Sequence, residues 1–149
     1  MKTLNSTRQR TPYLKAGIEE LHQKTTKWIS EIEFIKIEQD FLKEMLSEHI
    51  ISLCEMENFK TAKLFLNGIE HEGKLGAKLL LDIKDHKMNL ALLMENIYMK
   101  KEDDFRKKHT ELKLELDNYI QNFKYIKEQV FKLVLQIMKK EKQQKLLPH

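Results

Sequence analysis

The sequence predicts an all-α protein, an elongated antiparallel three-helix bundle with coiled-coil-like spacing, and three observations support this fold class. The 149 residues include only two prolines and four glycines, too few for the many turns of a sheet protein. Hydrophobic residues make up 41% and charged residues 34%, which suits long helices that each bury one apolar stripe. In three long segments, apolar residues recur at alternating spacings of four and three, as on one face of an α-helix.

The first helix is predicted over residues 12–53. Thr11 suits the N-cap, and Pro12 suits the first helical position, where its missing N–H costs nothing. Nine of the twelve core positions from Leu14 to Leu53 are apolar, and Trp28 occupies a central one. Further apolar residues lie beside this stripe and are expected to widen it, so that the helix packs against two neighbours. They are Phe34, Phe41, Met45 and Ile50.

The second helix is predicted over residues 59–99, after a connection at 54–58. Nine of its twelve core positions from Phe59 to Ile97 are again apolar. Its weak part is the segment 67–76, which contains three glycines that each cost a helix about 1 kcal/mol relative to alanine. This segment is interpreted as a short loop, a kink or a region of tight packing. We favour tight packing or a mild kink, with Phe34 and Phe131 filling the space.

The third helix is predicted over residues 104–145. Its stripe is offset by one residue, or about 100° around a helix, from a continuation of the second stripe. We therefore expect a turn near 100–104 rather than one continuous rod. Acidic residues there complement the N-terminal end of a helix dipole, and they are Glu102, Asp103 and Asp104. Among its eleven core positions, only His109 and Lys140 are polar.

Residues 11–145 are predicted to form a single helical domain between a disordered basic tail, 1–10, and a short C-terminal tail, 146–149. The formal net charge is +4, and basic residues concentrate at the two ends. Basic ends suit contacts with nucleic acid, although solvated termini carry the same pattern and the acidic middle of the chain opposes such binding. The candidate contacts are Arg8, Arg10, Lys139, Lys140, Lys142 and Lys145.

The sequence contains no complete catalytic, metal-binding or nucleotide-binding motif, so no catalytic residue, metal or cofactor is expected. A carboxylate-bridged di-iron bundle needs two Glu-x-x-His pairs, and only Glu19 and His22 provide one. The single cysteine, Cys54, cannot form an internal disulfide, which fits a reducing compartment. The longest apolar runs are too short for a membrane span. A cytoplasmic location is therefore expected.

Polar residues interrupt the predicted core at Thr25, Gln39, Lys87 and His109. A buried polar or charged residue can specify the register of packed helices at some cost in stability. If the antiparallel arrangement places them at the same height, Lys87 pairs with Asp117 and fixes the register.

The predicted layout of three helices with Trp28 in the first is similar in outline to spectrin-type repeats, and this likeness concerns architecture alone. Long amphipathic helices offer extended faces to partner helices or to a second copy of the chain. The sequence therefore favours a non-enzymatic interaction or scaffold protein. The alternatives are a nucleic-acid-associated protein that uses its basic tails and, below it, a metal- or ligand-binding bundle.

Overall fold

A computed structural model describes residues 12–55, 59–95 and 102–146. These residues form α1 (Pro12–Glu48), α2 (Ile50–Glu55), α3 (Phe59–Met94) and α4 (Glu102–Leu146). Within the described ranges, only His49 and Glu95 lie outside a helix, and no residue is in a strand. The all-α class is confirmed, and the helix starts at Pro12 as predicted. The count of three helices is not exact, because the first predicted helix is two.

The division between α1 and α2 falls at His49. Its backbone N–H donates to the carbonyl of Leu46 at 3.2 Å, a tighter turn than that of an α-helix. The His49 side chain reaches across to α4, where its Nδ1 lies 2.6 Å from Oε1 of Glu141. Ser52 of α2 donates a hydrogen bond to the same carboxylate oxygen at 3.2 Å. The helix is therefore interrupted where two of its polar side chains bind one carboxylate of α4.

Helix α3 runs without interruption through the glycine-containing segment 67–76, so the loop interpretation is wrong. It ends at Met94, five residues before the predicted end. Helix α4 begins at Glu102, two residues earlier than predicted, with Glu102, Asp103 and Asp104 in its first turn as expected. It ends at Leu146. Of the predicted connection at 54–58, residues 54 and 55 belong to α2 instead, and 56–58 lie outside the described residues. The predicted tail 1–10 lies outside them too, as does the predicted C-terminal tail 146–149 except for Leu146, which is helical.

The chain divides into two compact units, and the expectation of a single domain stays a prediction. The first unit comprises the described residues of 12–32, 78–95 and 102–116. Its core cluster contains Ile18, Leu90, Leu93 and Phe105, with Leu21 and Met94 packed against it. His86 of α3 pairs with His109 of α4, and Leu90 and Leu93, further along α3, cluster with Phe105, which precedes His109 in α4. The two helices are therefore antiparallel within this unit.

The second unit comprises residues 33–55, 59–77 and 117–146. Its α1 and α4 segments run parallel, because Glu38 pairs with Lys127 and His49 with Glu141. Its α3 segment runs antiparallel to α4, since Gly68 lies against Ile126 and Gly76 against Tyr119. The core consists of regularly spaced apolar residues from all four helices, including Leu42, Leu46, Leu53, Ile69, Phe123, Val130 and Ile137.

Tight packing of the glycine segment is borne out, but the predicted partners are wrong. A Cβ atom added to Gly76 would overlap the Tyr119 hydroxyl and lie 2.7 Å from its Cζ. Phe34 and Phe131, which were expected to fill this space, are exposed. Because α3 ends earlier and α4 begins earlier than predicted, α3 residues face positions of α4 about eight residues before Val130–Phe131.

Candidate interaction surface and buried polar sites

An apolar stripe on α1 of the second unit faces solvent. Phe34, Ile37 and Phe41 are 61%, 66% and 58% exposed. The sequence predicted that Phe34, Phe41 and Ile50 would widen the buried stripe, and that prediction is wrong, because all three are exposed; Met45 is half-buried. Spacings of three and seven residues place Phe34, Ile37 and Phe41 on one outward side of the helix.

A second apolar stripe lies on α4 of the same unit. Phe131, Leu135 and Met138 are 45%, 53% and 52% exposed, and their spacings of four and seven put them on one side of α4. Like the stripe on α1, it lies beside a core stripe that was predicted correctly.

The two stripes border the same groove between α1 and α4. The side chains of Glu38 and Lys127 bridge that groove, with Nζ 2.9 Å from Oε2. Phe34 and Phe41 are four residues before and three residues after Glu38, and Phe131 is four residues after Lys127. Residues at these spacings share a helix side, so both stripes lie on the sides that flank the ion pair. We call these six residues the α1–α4 face: Phe34, Ile37, Phe41, Phe131, Leu135 and Met138.

Other large apolar side chains of the described second unit are exposed without forming such a stripe. None of these forms three positions on one helix at spacings of three or four, and isolated exposed apolar residues are normal on protein surfaces. They are Ile50, Ile51, Phe59, Leu64, Leu75, Tyr125 and Leu146. The α1–α4 face is therefore distinguished by its continuity over two neighbouring helices.

The charges beside the α1–α4 face differ in sign between the two helices. On α1, the acidic residues Glu44 and Glu48 lie three and seven positions after Phe41, so they share its side with Glu38. On α4, the residues at the corresponding spacings are mainly lysines, with two acidic exceptions, Glu128 and Glu141, of which Glu141 is paired with His49. The lysines are Lys124, Lys127, Lys139, Lys142 and Lys145. The face thus has an acidic edge on α1 and a basic edge on α4.

The predicted tail contacts are placed only in part. Arg8 and Arg10 lie outside the described residues. The four lysines, Lys139, Lys140, Lys142 and Lys145, are exposed, and they lie in α4 rather than in a tail. Three of them belong to the basic edge of the α1–α4 face, whereas Lys140 lies on a different side of the helix.

The predicted register pair also remains a prediction. Lys87 is half-buried in the first unit, where its charge helps burial to lower the pKa of His22. Asp117 is exposed and belongs to the second unit. The other polar core positions, Thr25, Gln39 and His109, are buried as predicted.

A buried histidine pair lies in the first unit. Nε2 of His86 is 3.0 Å from Nδ1 of His109, and the ring of His109 stacks on Trp28 with centroids 4.4 Å apart. One ring therefore donates an N–H to the other. The two outer nitrogens, Nδ1 of His86 and Nε2 of His109, are buried and have no hydrogen-bond partner among the described residues. In either tautomer one of them is an N–H and the other a lone pair.

Both histidines of this pair are held neutral. Burial is the main cause that lowers the pKa of each to about 4, and positive neighbours add to it. Lys108 acts on His86. His86 itself acts on His109, followed by Lys24, Arg106 and Lys113. Asp85 opposes the shift at His86 but is outweighed. Protonation of this pair would place a cation in a buried site already surrounded by cations.

A buried polar network lies in the second unit. Nε2 of Gln39 donates to the Tyr119 hydroxyl at 3.3 Å. Glu72 is also buried, and burial raises its pKa against the opposing effects of His71 and of a hydrogen bond from Asn122. Gly73 and Gly76 leave room on α3 for the Gln39 and Tyr119 side chains. This network accounts for the glycines as packing positions between three helices.

Within the described residues, no group of three or more histidine, cysteine, aspartate or glutamate side chains is arranged to hold a metal ion. Glu19 and His22 are both half-buried, and Cys54 is exposed with a free thiol. None of the described helices is long and apolar enough to cross a membrane.

Comparisons with protein-family models, curated protein sequences and solved structures find no match for this chain.

Sequence reasoning missed the α1–α4 face and the histidine pair. A signal for the face was present, since Phe34, Ile37 and Phe41 repeat at helical spacing beside a stripe that was already apolar, with acidic residues at the same spacing. The partner stripe on α4 could not be matched to it without the parallel register of these two helices. The histidine pair depends on the α3–α4 register, which the sequence predicted incorrectly.

Proposed function

We propose that this chain is a non-enzymatic protein–protein interaction module that binds its partner through the α1–α4 face. One observation carries the proposal: two parallel helices present six large apolar side chains, each about half exposed or more, on either side of one groove. Soluble monomers rarely expose contiguous apolar patches beyond a few hundred Å², and larger ones mark interaction sites. A partner helix lying in such a groove would contact both stripes.

The chemistry of the buried sites supports a non-enzymatic role. The histidine pair and the Gln39–Tyr119 pair are buried among packed helices, and each pair is joined by a hydrogen bond between its own two side chains. A catalytic site needs polar groups that converge on a concave space open to a substrate. The cytoplasmic location expected from composition stays a prediction.

The test is a crosslinked pull-down from cells of the source organism, read by mass spectrometry, with two matched variants. Phe41→Glu places a charge in the α1–α4 face. Leu114→Glu places the same charge at a leucine of the first unit that is 66% exposed. We expect the wild type and Leu114→Glu to capture the same partner and Phe41→Glu to lose it. Equal capture by all three proteins would contradict the proposal.

The alternative function, nucleic-acid binding by the basic ends, is favoured by the exposed lysines near the end of α4. Such binding would weaken steeply with salt, because each neutralised phosphate releases counterions. Titration of a random-sequence duplex between 50 and 200 mM salt tests it, with Lys139→Gln/Lys142→Gln as the variant. This alternative would replace the first proposal if the wild type binds the duplex tightly, if the lysine variant loses that binding, and if Phe41→Glu leaves partner capture unchanged.

A further inference from the structure

The α1–α4 face carries complementary charges on its two edges, and this suggests what covers it. We infer that its partner is a second copy of the same chain, and that the two copies pair with a twofold axis parallel to α1 and α4. This inference rests on the proposed function and names the partner of that surface. Homodimers with twofold symmetry are the commonest protein oligomers, and each copy contributes the same patch.

The direction of the axis follows from the charges. A twofold axis along the helices places α1 of one copy over α4 of the other, so that each acidic edge meets a basic edge. An axis across the helices places α1 over α1, so that the side carrying Glu38, Glu44 and Glu48 meets its own copy. Like charges in an interface cost free energy and opposite charges align partners. The parallel arrangement is the one that the charges favour.

The register follows from the contacts between α1 and α4. Glu38 lies level with Lys127, and Ser52 level with Glu141, an offset of 89 residues in both pairs. A rotation about an axis parallel to the helices keeps heights unchanged. Phe41 of one copy therefore comes level with Phe131 of the other, and Glu48 comes level with the turn that contains Lys139. The apolar stripes meet along the axis, and charged residues border them.

The exposed area is sufficient for a dimer. Side chains of this size, each between 45% and 66% exposed, offer roughly 100 Å² apiece, so the face approaches the ~800 Å² per partner of a standard interface. Neighbouring polar residues supply the remainder. Aromatic residues and methionine are enriched in interfaces, and Phe34, Phe41, Phe131 and Met138 supply four of the six positions.

Sedimentation equilibrium over a wide concentration range measures the association directly. We expect a dimer for the wild type and for Leu114→Glu, and a dissociation constant at least tenfold higher for Phe41→Glu. Circular dichroism confirms that each variant keeps its helix content. Leu135→Glu is the second variant, to be used if Phe41→Glu does not fold. A monomeric wild type at about 100 μM, or a dimer that both face variants leave unchanged, overturns the inference.

Charge exchange tests the edges. Glu48→Lys should raise the dissociation constant by opposing Lys139, and Glu48→Lys/Lys139→Glu should restore it. If the dissociation constant of the double variant is as high as that of Glu48→Lys alone, the parallel arrangement is contradicted.

Disulfide trapping tests the orientation. In a Cys54→Ser background, a mixture of the Phe41→Cys and Phe131→Cys proteins under a mild oxidant should form the mixed disulfide in preference to either symmetric one. Preferential formation of the Phe41→Cys homodimer would instead indicate α1 over α1.

The same variants separate failure of this inference from failure of the proposed function. If the wild type is monomeric but Phe41→Glu abolishes capture of a different protein, the face is an interaction surface and the dimer is wrong. If the wild type is monomeric and capture does not depend on Phe41, both are wrong.

Discussion

At the scale of single residues, the His86–His109 pair makes the first unit sensitive to acid. Each imidazole has a folded pKa of about 4, against 6.5 when unperturbed. Below pH 6.5 these histidines bind protons in the unfolded chain but stay neutral in the folded chain. The free energy of unfolding therefore falls as the pH falls from about 6.5 to about 4. The slope is at most about 1.4 kcal/mol per pH unit for each histidine. Denaturant unfolding at a series of pH values measures it.

Trp28 provides an optical check on this prediction. It is the one tryptophan of the chain, and it stacks on His109, so its fluorescence reports directly on the site. The control is His86→Leu/His109→Phe, since replacing both partners of a buried hydrogen bond by apolar groups can be nearly neutral for stability. This double variant should lose most of the pH dependence between 6.5 and 4. An unchanged slope would show that other groups cause the acid sensitivity.

The single substitution His109→Phe is expected to lower the free energy of unfolding more than the double substitution does. It leaves Nε2 of His86 buried without the partner that now lies 3.0 Å away. An unsatisfied buried polar group costs about 1–3 kcal/mol. A double-mutant cycle on thermal unfolding gives the interaction free energy of the pair. If the two single effects simply add, the histidines are not coupled, and the hydrogen bond between them contributes nothing to stability.

At the scale of helices, the two glycines that lie three residues apart in α3 should respond to alanine in opposite directions. A Cβ on Gly73 would lie 3.8 Å from Oε1 of Gln39, an ordinary contact, so Gly73→Ala should stabilise α3 by about 0.5–1 kcal/mol through helix propensity. A Cβ on Gly76 would overlap the buried Tyr119 ring. Gly76→Ala should therefore destabilise the protein by about 1–3 kcal/mol through overpacking.

Thermal unfolding of the two variants decides this prediction, because one kcal/mol corresponds to about 2–4 °C in a protein of this length. Tyr119→Phe combined with Gly76→Ala is the informative control, since it removes the hydroxyl oxygen but leaves the rest of the ring. We expect it to relieve only part of the loss. Equal stabilisation by both alanines would mean that Tyr119 moves aside without cost.

The element scale also shows what periodicity can and cannot predict. The stripes through Ile32, Leu42, Leu90, Leu112 and Val130 are buried as predicted. Apolar residues spaced three and four apart predict which side of a helix is buried. The spacing does not predict which residues of another helix that side contacts. Placing the end of α3 five residues too late shifted the expected α3–α4 register by about two turns.

This shift explains the errors at the candidate sites. Because of it, the glycines were expected to pack against Phe131, whereas Tyr119 is their neighbour. The same error hid the contact between His86 and His109. The face on α1 was missed for a different reason: an apolar residue beside a buried stripe was assumed to be buried too. Amphipathic width predicts burial only when a neighbour covers that side, and in the described second unit no helix covers Phe34, Ile37 and Phe41. The break at His49 lies where its side chain contacts Glu141, a residue that is distant in sequence.

At the scale of the whole molecule, the two units differ in chemical character. The first unit contains the buried histidine pair and its surrounding cations. The second contains a satisfied Gln39–Tyr119 hydrogen bond and carries the apolar α1–α4 face. Acid should therefore destabilise the protein first through residues of the first unit, whereas association should depend on the surface of the second unit. Dimerisation at pH 7 should consequently be unaffected by His86→Leu/His109→Phe.

The proposed self-association through the second unit has a consequence for the stability of the entire chain. A partner that binds only the folded state stabilises it by mass action, so the midpoint of thermal unfolding should depend on protein concentration. Above the dissociation constant, a tenfold rise in concentration adds about 1.4 kcal/mol per dimer, half of it per chain, which raises Tm by about 1–3 °C. Scanning calorimetry over a hundredfold concentration range measures this effect.

Phe41→Glu should abolish the concentration dependence of Tm and Leu114→Glu should preserve it, because only the first disrupts the face. A Tm that is independent of concentration in all three proteins would mean that the folded chain is a monomer, whose exposed phenylalanines bind something other than their own copy.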